Sequence, residues 1–520
     1  MTCSSLPTFA EPAGAEKTLL YIPIDNRPIN LRQTVEVAEK LGYEILTPPE
    51  EFLGRGSAIY GEPEKLWSWL EENAPKANFA TISTDALLYG SLVSSRVHDF
   101  DEKIILQRSE KFADLRKKFP QLPIYAFSTI MRTPHVSGSS AEPAYYAQYG
   151  EKIFDLTALT DKFETEKLSR KEDKKLAALK SEIPEEVYRD WFYRRDINFN
   201  ANKKLIDLTK AGTFDFLIIG CDDNSSYSQT HLERRHLEEY GRNFGLGKTV
   251  LQITSGADEL GMMMISRAIN KDLNEIPFVA TEYNDGRGRK TKSTYVNEEI
   301  GSAIDDAIVA VGGLKVPSPE KADLVLAVNT PRNGKTLAAN SAENTVAPRK
   351  ETKTFLKLLK NLTEKNYPVA VADITFGNGS DNAMMNQLRR EDLQFKIRAY
   401  GGWNTATNTT GFLIGAGVLT KFMDEDSVNS LLITRYLDDW AYQSNVRQTV
   451  GYALYNFPGE GSYSELNEKK EAVELKTAEN LYNFANENFT VHPENITVNF
   501  PWNRMFECDI SFKINVTGGL

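Results

Sequence analysis

The sequence predicts an α/β fold: two mostly parallel βα domains, Rossmann-like or barrel-like, followed by a smaller α+β region. Three observations carry this. Short apolar runs alternate with amphipathic segments along most of the chain, the pattern of parallel strands joined by helical crossovers. At 520 residues the chain is too long for one ordinary core. After about Lys421 the alternation stops and long charged segments replace it.

In order, residues 1–18 read as a leader or linker, small, polar and rich in Pro and Ala. Residues 19–275 form a first α/β domain, whose strands are TLLYIPID, EILTPP, FATIST, LPIYAFSTI, FDFLIIG and TVLQITSG. A charged stretch, Leu156 to Leu208, is helical and separates the fourth strand from the fifth. Residues 276–420 form a second α/β domain, with PFVATEY, ADLVLAVNT, PVAVADI and KIRAYGGW among about five strands. A total of roughly ten or eleven strands suits two sheets better than one eight-stranded barrel. Residues 421–520 hold helices at Glu425 to Leu454 and Leu466 to Asn488, then ITVNFPWNRMFECDISFKINV as two strands joined by a turn.

Composition narrows the function. With 41% hydrophobic and 26% charged residues, the balance is that of a soluble globular protein. A net charge of −11 argues against duplex nucleic acid and anionic membrane as partners. No apolar run approaches the roughly 20 residues of a membrane span. Cys3, Cys221 and Cys508 form no CxxC and no disulfide framework. The leader fits two compartments equally. It reads as the remnant of a secretory signal, with Cys3 as a lipid-bearing cysteine, or as a plain cytosolic leader.

Ligands of α/β proteins bind beyond the carboxyl ends of parallel strands. Acids and amides recur there: Asp25-Asn26-Arg27, Asp85, Arg132, Asp222-Asp223-Asn224, Asp258-Glu259, Tyr283 and Trp403-Asn404. One Asp or Asn at such a place is ordinarily a helix cap. Asp222-Asp223 exceeds that need, because a cap uses one carboxylate. Two neighbouring acids push their pKa values apart, which supplies a general acid and a general base. Glycosidases work with such a pair. Adjacent acids after a strand serve substrate-assisted hexosaminidases in the same way.

The expectation is therefore a carbohydrate-active hydrolase with Asp222, Asp223, Asp258 and Glu259 as catalytic candidates. Asp25, Asn26, Arg27, Asp85, Arg132, Asn224, Tyr283, Trp403 and Asn404 are the candidate substrate contacts, with Trp403 as a face for a sugar ring. The partner is a small-molecule or carbohydrate ligand. No cofactor is implied. Two alternatives remain open: a non-enzymatic sugar or metabolite receptor with an inter-domain cleft, and a divalent-metal hydrolase using Asp and Asn oxygens. His231 and His236 lie five apart, which does not fit HExxH zinc spacing. Cys221 beside two acids is a poor nucleophile.

Seven segments occur in a recognisable order: YIPIDNRPIN, STDALLYGSLVSSR, GCDDN, SGADELG, ADITFGNGSDN, AYGGWNTATNTTG and FPWNRMFE. Together they resemble the signature segments of the bacterial family labelled "domain of unknown function 4127", from about Leu19 to Phe506. The resemblance implies a shared site at these loops. It assigns no activity to them.

Overall fold

A computed structural model describes residues 17–135, 141–222, 224–293, 298–455 and 465–514. Six strands form the first sheet: β1 (Thr18–Ile22), β2 (Glu44–Leu46), β3 (Phe79–Ser83), β4 (Ile124–Ile130), β5 (Phe216–Cys221) and β6 (Leu251–Ser255). All pair in parallel, in the order β2-β1-β3-β4-β5-β6. The second sheet holds β7 (Phe278–Tyr283), β8 (Leu314–Lys315), β9 (Leu324–Asn329), β11 (Val369–Asp373) and β13 (Ala399–Gly401). Between these strands lies a two-residue parallel pair, β10 (Leu337–Ala338) with β12 (Phe376–Gly377). The second sheet is also all parallel, in the order β13-β11-β9-β7-β8. Both sheets are open, so the fold is two doubly wound units and not a closed barrel.

Counted from its own first strand, each sheet begins 2-1-3-4-5, and the first sheet adds a sixth strand. The same winding therefore occurs twice. The central strands are buried on both faces, which is why they read as continuous apolar runs without alternation. The fifth strand expected in the second unit is β8, an exposed edge of two residues.

The charged stretch before β5 resolves into three helices, Tyr146–Thr165, Arg170–Glu182 and Glu185–Lys210. They share a small core of their own around Ile153, Leu179 and Trp191. A capping box starts the middle one: the Ser169 hydroxyl accepts from Glu172 N–H, and the Glu172 carboxylate accepts from Ser169 N–H. The helical region after Glu425 carries an eleven-residue π-helix, Tyr436–Val446, inside it. The last two strands, β14 (Pro493–Asn499) and β15 (Asp509–Ile514), pair antiparallel, as expected. No described helix is long and apolar enough to cross a membrane.

Two helices join the sheets. Leu260–Asp272 lies against β3 and β4, and Ala406–Leu419 lies against β9, β11 and β13. Every residue of Ala406–Leu419 is buried, so its hydrophobicity has no polar face. The two helices pack on each other through glycine. A Cβ at Gly415 would stand 3.0 Å from Met262 Cγ and 3.2 Å from the Met262 backbone. One apolar cluster consequently runs from Tyr21 and Phe216 of the first sheet, through Met262 and Leu413, to Val325 and Val371 of the second.

Gly415→Val should force these helices apart and cost about 1–3 kcal/mol by overpacking. A drop in the denaturant midpoint, read by tryptophan fluorescence, checks it.

Candidate functional site

The loop after β1 folds around Asp25. Its carboxylate accepts from the Arg27 backbone N–H at 3.1 Å, from Asn30 Nδ2 at 2.8 Å and from the Arg27 guanidinium at 2.8 Å. The same guanidinium donates through Nη2 to Asp258 Oδ1 at 2.6 Å and through Nη1 to Oδ2 at 3.0 Å. Asp258 follows β6, so this triad ties the first strand of the sheet to the last. All three side chains are buried. Burial pushes the Asp258 carboxyl above the usual range, against the pull of Arg27, with Asp25 and Asp222 adding to the rise.

Asp258 is presented by a turn at Gly256, whose φ of +110° is a conformation that side-chain-bearing residues rarely adopt. A Cβ there would also meet Glu259 Oε1 at 1.8 Å. Asn404, after β13, takes a φ of +61° and donates through Nδ2 to Asp258 Oδ2 at 3.3 Å. The second sheet thus reaches the site of the first.

These loops surround a cavity of about 360 Å³. Around its wall stand Arg27 after β1, Arg96 after β3, Arg132 after β4, Asp222 after β5 and Asp258 after β6. Asn404 and Asn408 add amides, and Asn408 lies in the first turn of the helix that Thr405 caps. Asp222 accepts from Arg96 Nη2. Arg132 Nε donates to Glu142 at 2.6 Å. Arg447 also lines it, with Trp502, Arg504, Phe506 and Glu507 from the segment between the last two strands.

That segment is clamped by the first unit and by the π-helix. Trp502 Nε1 donates to Asn26 Oδ1 at 2.9 Å. Tyr442 Oη donates to the Met505 carbonyl at 2.6 Å, and Gln443 Nε2 to the Phe506 carbonyl at 2.9 Å. Both donors lie on the π-helix, whose wider turn is a frequent feature of functional sites. Arg27 lies 5.1 Å over the Trp502 ring and Arg504 lies 4.7 Å from it. Arg504 also pairs with Glu507.

Three carboxylates therefore line one cavity, each held by an arginine: Asp222 by Arg96, Asp258 by Arg27 and Glu507 by Arg504. Asp222 is the most open of them, at 17% side-chain exposure against 6% and 1%. Cys221 also borders the cavity, but burial pushes its thiol up to about 12, so it is not a thiolate at neutral pH.

Of the residues expected from sequence, the structure brings Arg27, Arg132, Asp222, Asp258 and Asn404 to the wall. Asp25 and Asn26 stand directly behind it, holding Arg27 and Trp502. Asn224 is buried beside it and donates to Ser255 at 3.2 Å. Asp223 lies outside the described residues. Four others are not at the wall. Asp85 is buried under β3 and β4, where its Oδ1 accepts from the Thr129 hydroxyl at 3.0 Å and burial pushes it up to about 7. Glu259 is buried, its side chain between Gly256 and Gly411. Tyr283 ends β7 in the second sheet, beside Gly288. Trp403 is 5% exposed and packs 6.3 Å from Phe506, so it is core and offers no open face.

Arg447, Trp502, Arg504, Phe506 and Glu507 are wall residues that follow no parallel strand, whereas Arg96 follows β3 within STDALLYGSLVSSR. The dense mixture of aromatic and charged residues in FPWNRMFE was the one available signal. Among the described residues, no group of three or more His, Cys, Asp or Glu is placed to hold a metal ion.

The family model described as "Protein of unknown function (DUF4127)" matches residues 19–511. The chain belongs to this family. No curated protein matches it. Among solved structures, one from Mycobacterium smegmatis in complex with beta-D-fucofuranose is 11% identical, over 61% of this chain and 74% of that chain, with a TM-score of 0.14. A likeness that distant carries no functional weight. The seven signature segments fall largely at the loops described above. Family membership and the cavity were thus read from the same residues.

Arg27→Leu would leave Asp25 and Asp258 buried without their cation. A loss of about 3–5 kcal/mol is expected in denaturant titration. Glu259 gives a pH signature. Burial raises it from 4.5 to about 8, and among the described residues its Oε2 has no hydrogen-bond partner. The folded state therefore holds a proton that the unfolded state releases, and stability falls as pH rises from 4.5 through about 8. Glu259→Gln imitates the protonated acid. Its melting temperature should gain on that of the wild-type protein across this window and hold a constant lead above it.

Proposed function

We propose that the cavity binds a carbohydrate and that the protein is a glycoside hydrolase. The observation that supports this is the convergence of Asp222 and Asp258, in different electrostatic settings, on one polar cavity at the carboxyl edge of the first sheet. Asp222, more open and paired with Arg96, suits the role of base or nucleophile. Asp258, held on both oxygens by Arg27 and with its carboxyl raised by burial, would be the second carboxylate of the pair. Asn404 and Asn408 would take sugar hydroxyls, and Trp502 and Phe506 would border the ring.

The rigid link between the sheets favours an enzyme over a receptor that closes about a hinge. Two-lobed receptors need lobes that part, whereas here a fully buried helix and one continuous apolar core join the units. The receptor reading has one observation of its own: each lining acid is already held by an arginine. Product released from a glycoside in prolonged incubation separates the two readings.

Asp222→Asn and Asp258→Asn should each lower kcat/KM on a responsive glycoside by about 100-fold or more. A panel of nitrophenyl glycosides, read by released nitrophenolate, checks this. Unchanged turnover in both variants would overturn the reading.

A further inference from the structure

Beyond Arg447 and Phe506 lies a second pocket, of about 140 Å³. Arg447 and Phe506 belong to the walls of both spaces. The Arg447 guanidinium lies 4.8 Å over the Phe506 ring. A backbone hydrogen bond also couples the spaces: Asn378 N–H donates to the Asn404 carbonyl at 2.9 Å, and Asn404 lines the larger cavity.

The chemistry of the two spaces differs sharply. The larger is walled by guanidinium and carboxylate groups. The smaller carries four amides, Asn340, Asn378, Gln443 and Gln448, and Arg447 is its one charged residue. Gln443 is occupied, since it donates to the Phe506 carbonyl and accepts from Arg447 Nη1 at 2.9 Å. Asn340, Asn378 and Gln448 remain to offer donor and acceptor together. An amide satisfies a hydroxyl in either of its roles, as donor or acceptor. A neutral polyhydroxylated group beside the Arg447–Phe506 pair matches that set. A cation does not, because Arg447 repels it and no carboxylate lines the pocket.

We propose that this pocket is a second sugar subsite, so that the ligand is an oligosaccharide with one residue in the charged cavity and its neighbour among Asn340, Asn378 and Gln448. The proposal rests on the carbohydrate reading of the larger cavity and adds the length of the ligand.

Saturation-transfer NMR and titration, with a panel of disaccharides and their component monosaccharides as probes, test it on the full chain. For a disaccharide that binds, both rings should receive saturation, and affinity should exceed that of the monosaccharide by about tenfold, the worth of one or two added hydrogen bonds. Asn340→Leu with Gln448→Leu, neither of them a fully buried position, should abolish that gain and leave monosaccharide affinity intact. A disaccharide that binds no tighter than its monosaccharide overturns the subsite and spares the carbohydrate reading. So does a gain that survives in the double variant with an unchanged melting temperature. Failure of every sugar to bind overturns both.

Discussion

Arg27 is the cation on which the carboxyl edge depends. Its guanidinium is shared between Asp25, two residues away, and Asp258, on the opposite side of the sheet. Its face lies against Trp502, from near the other end of the described chain. Burying an arginine and two carboxylates is costly, and the attraction between them repays that cost only when geometry and further hydrogen bonds are good. Here they are: Asn30 and a backbone N–H complete Asp25, and Asn404 adds to Asp258. The triad does not explain why the sheets form, since apolar burial does that. It explains why the loops at their edge have one arrangement.

Behind the wall stands a second rank of acids that water does not reach. Asp85 and Glu259 are both buried, and both have proton affinities raised by burial. The second sheet repeats the theme at its own carboxyl edge, where burial, with Asp381 beside it, raises Asp373 above the usual carboxylate range. Tyr400, Asn329 and Arg349 satisfy that pair. The wall acids differ in opening to the cavity. Proximity to a strand end does not separate the two ranks.

Much of the fold was legible because parallel strands covered on both faces are largely apolar, and five of the six strands before Pro277 are buried along their whole length. The exposed two-residue β8 gave no run to read. The first unit's share of the site was legible for a related reason: chemistry follows parallel strands, and Arg27, Arg132, Asp222 and Asp258 do so. The same rule could not find Trp502, Arg504, Phe506 and Glu507, which sit between antiparallel strands. Arg447 was hidden for another cause, since an arginine in a helix reads as a solvated cation until the π-helix before it is seen. Trp403 was misleading because glycines flank it, which suggests exposure, while the packing of Phe506 and the helix behind it leaves it enclosed.

The clamped segment Trp502–Glu507 has a consequence for how the protein comes into being. Asn26 and Trp502 meet across 476 positions of chain. Both sheets can be complete on a nascent polypeptide while the cavity still lacks one wall. The cavity therefore gains its last wall only when Trp502–Glu507 docks between Asn26 and the π-helix, whatever the sheets have already built.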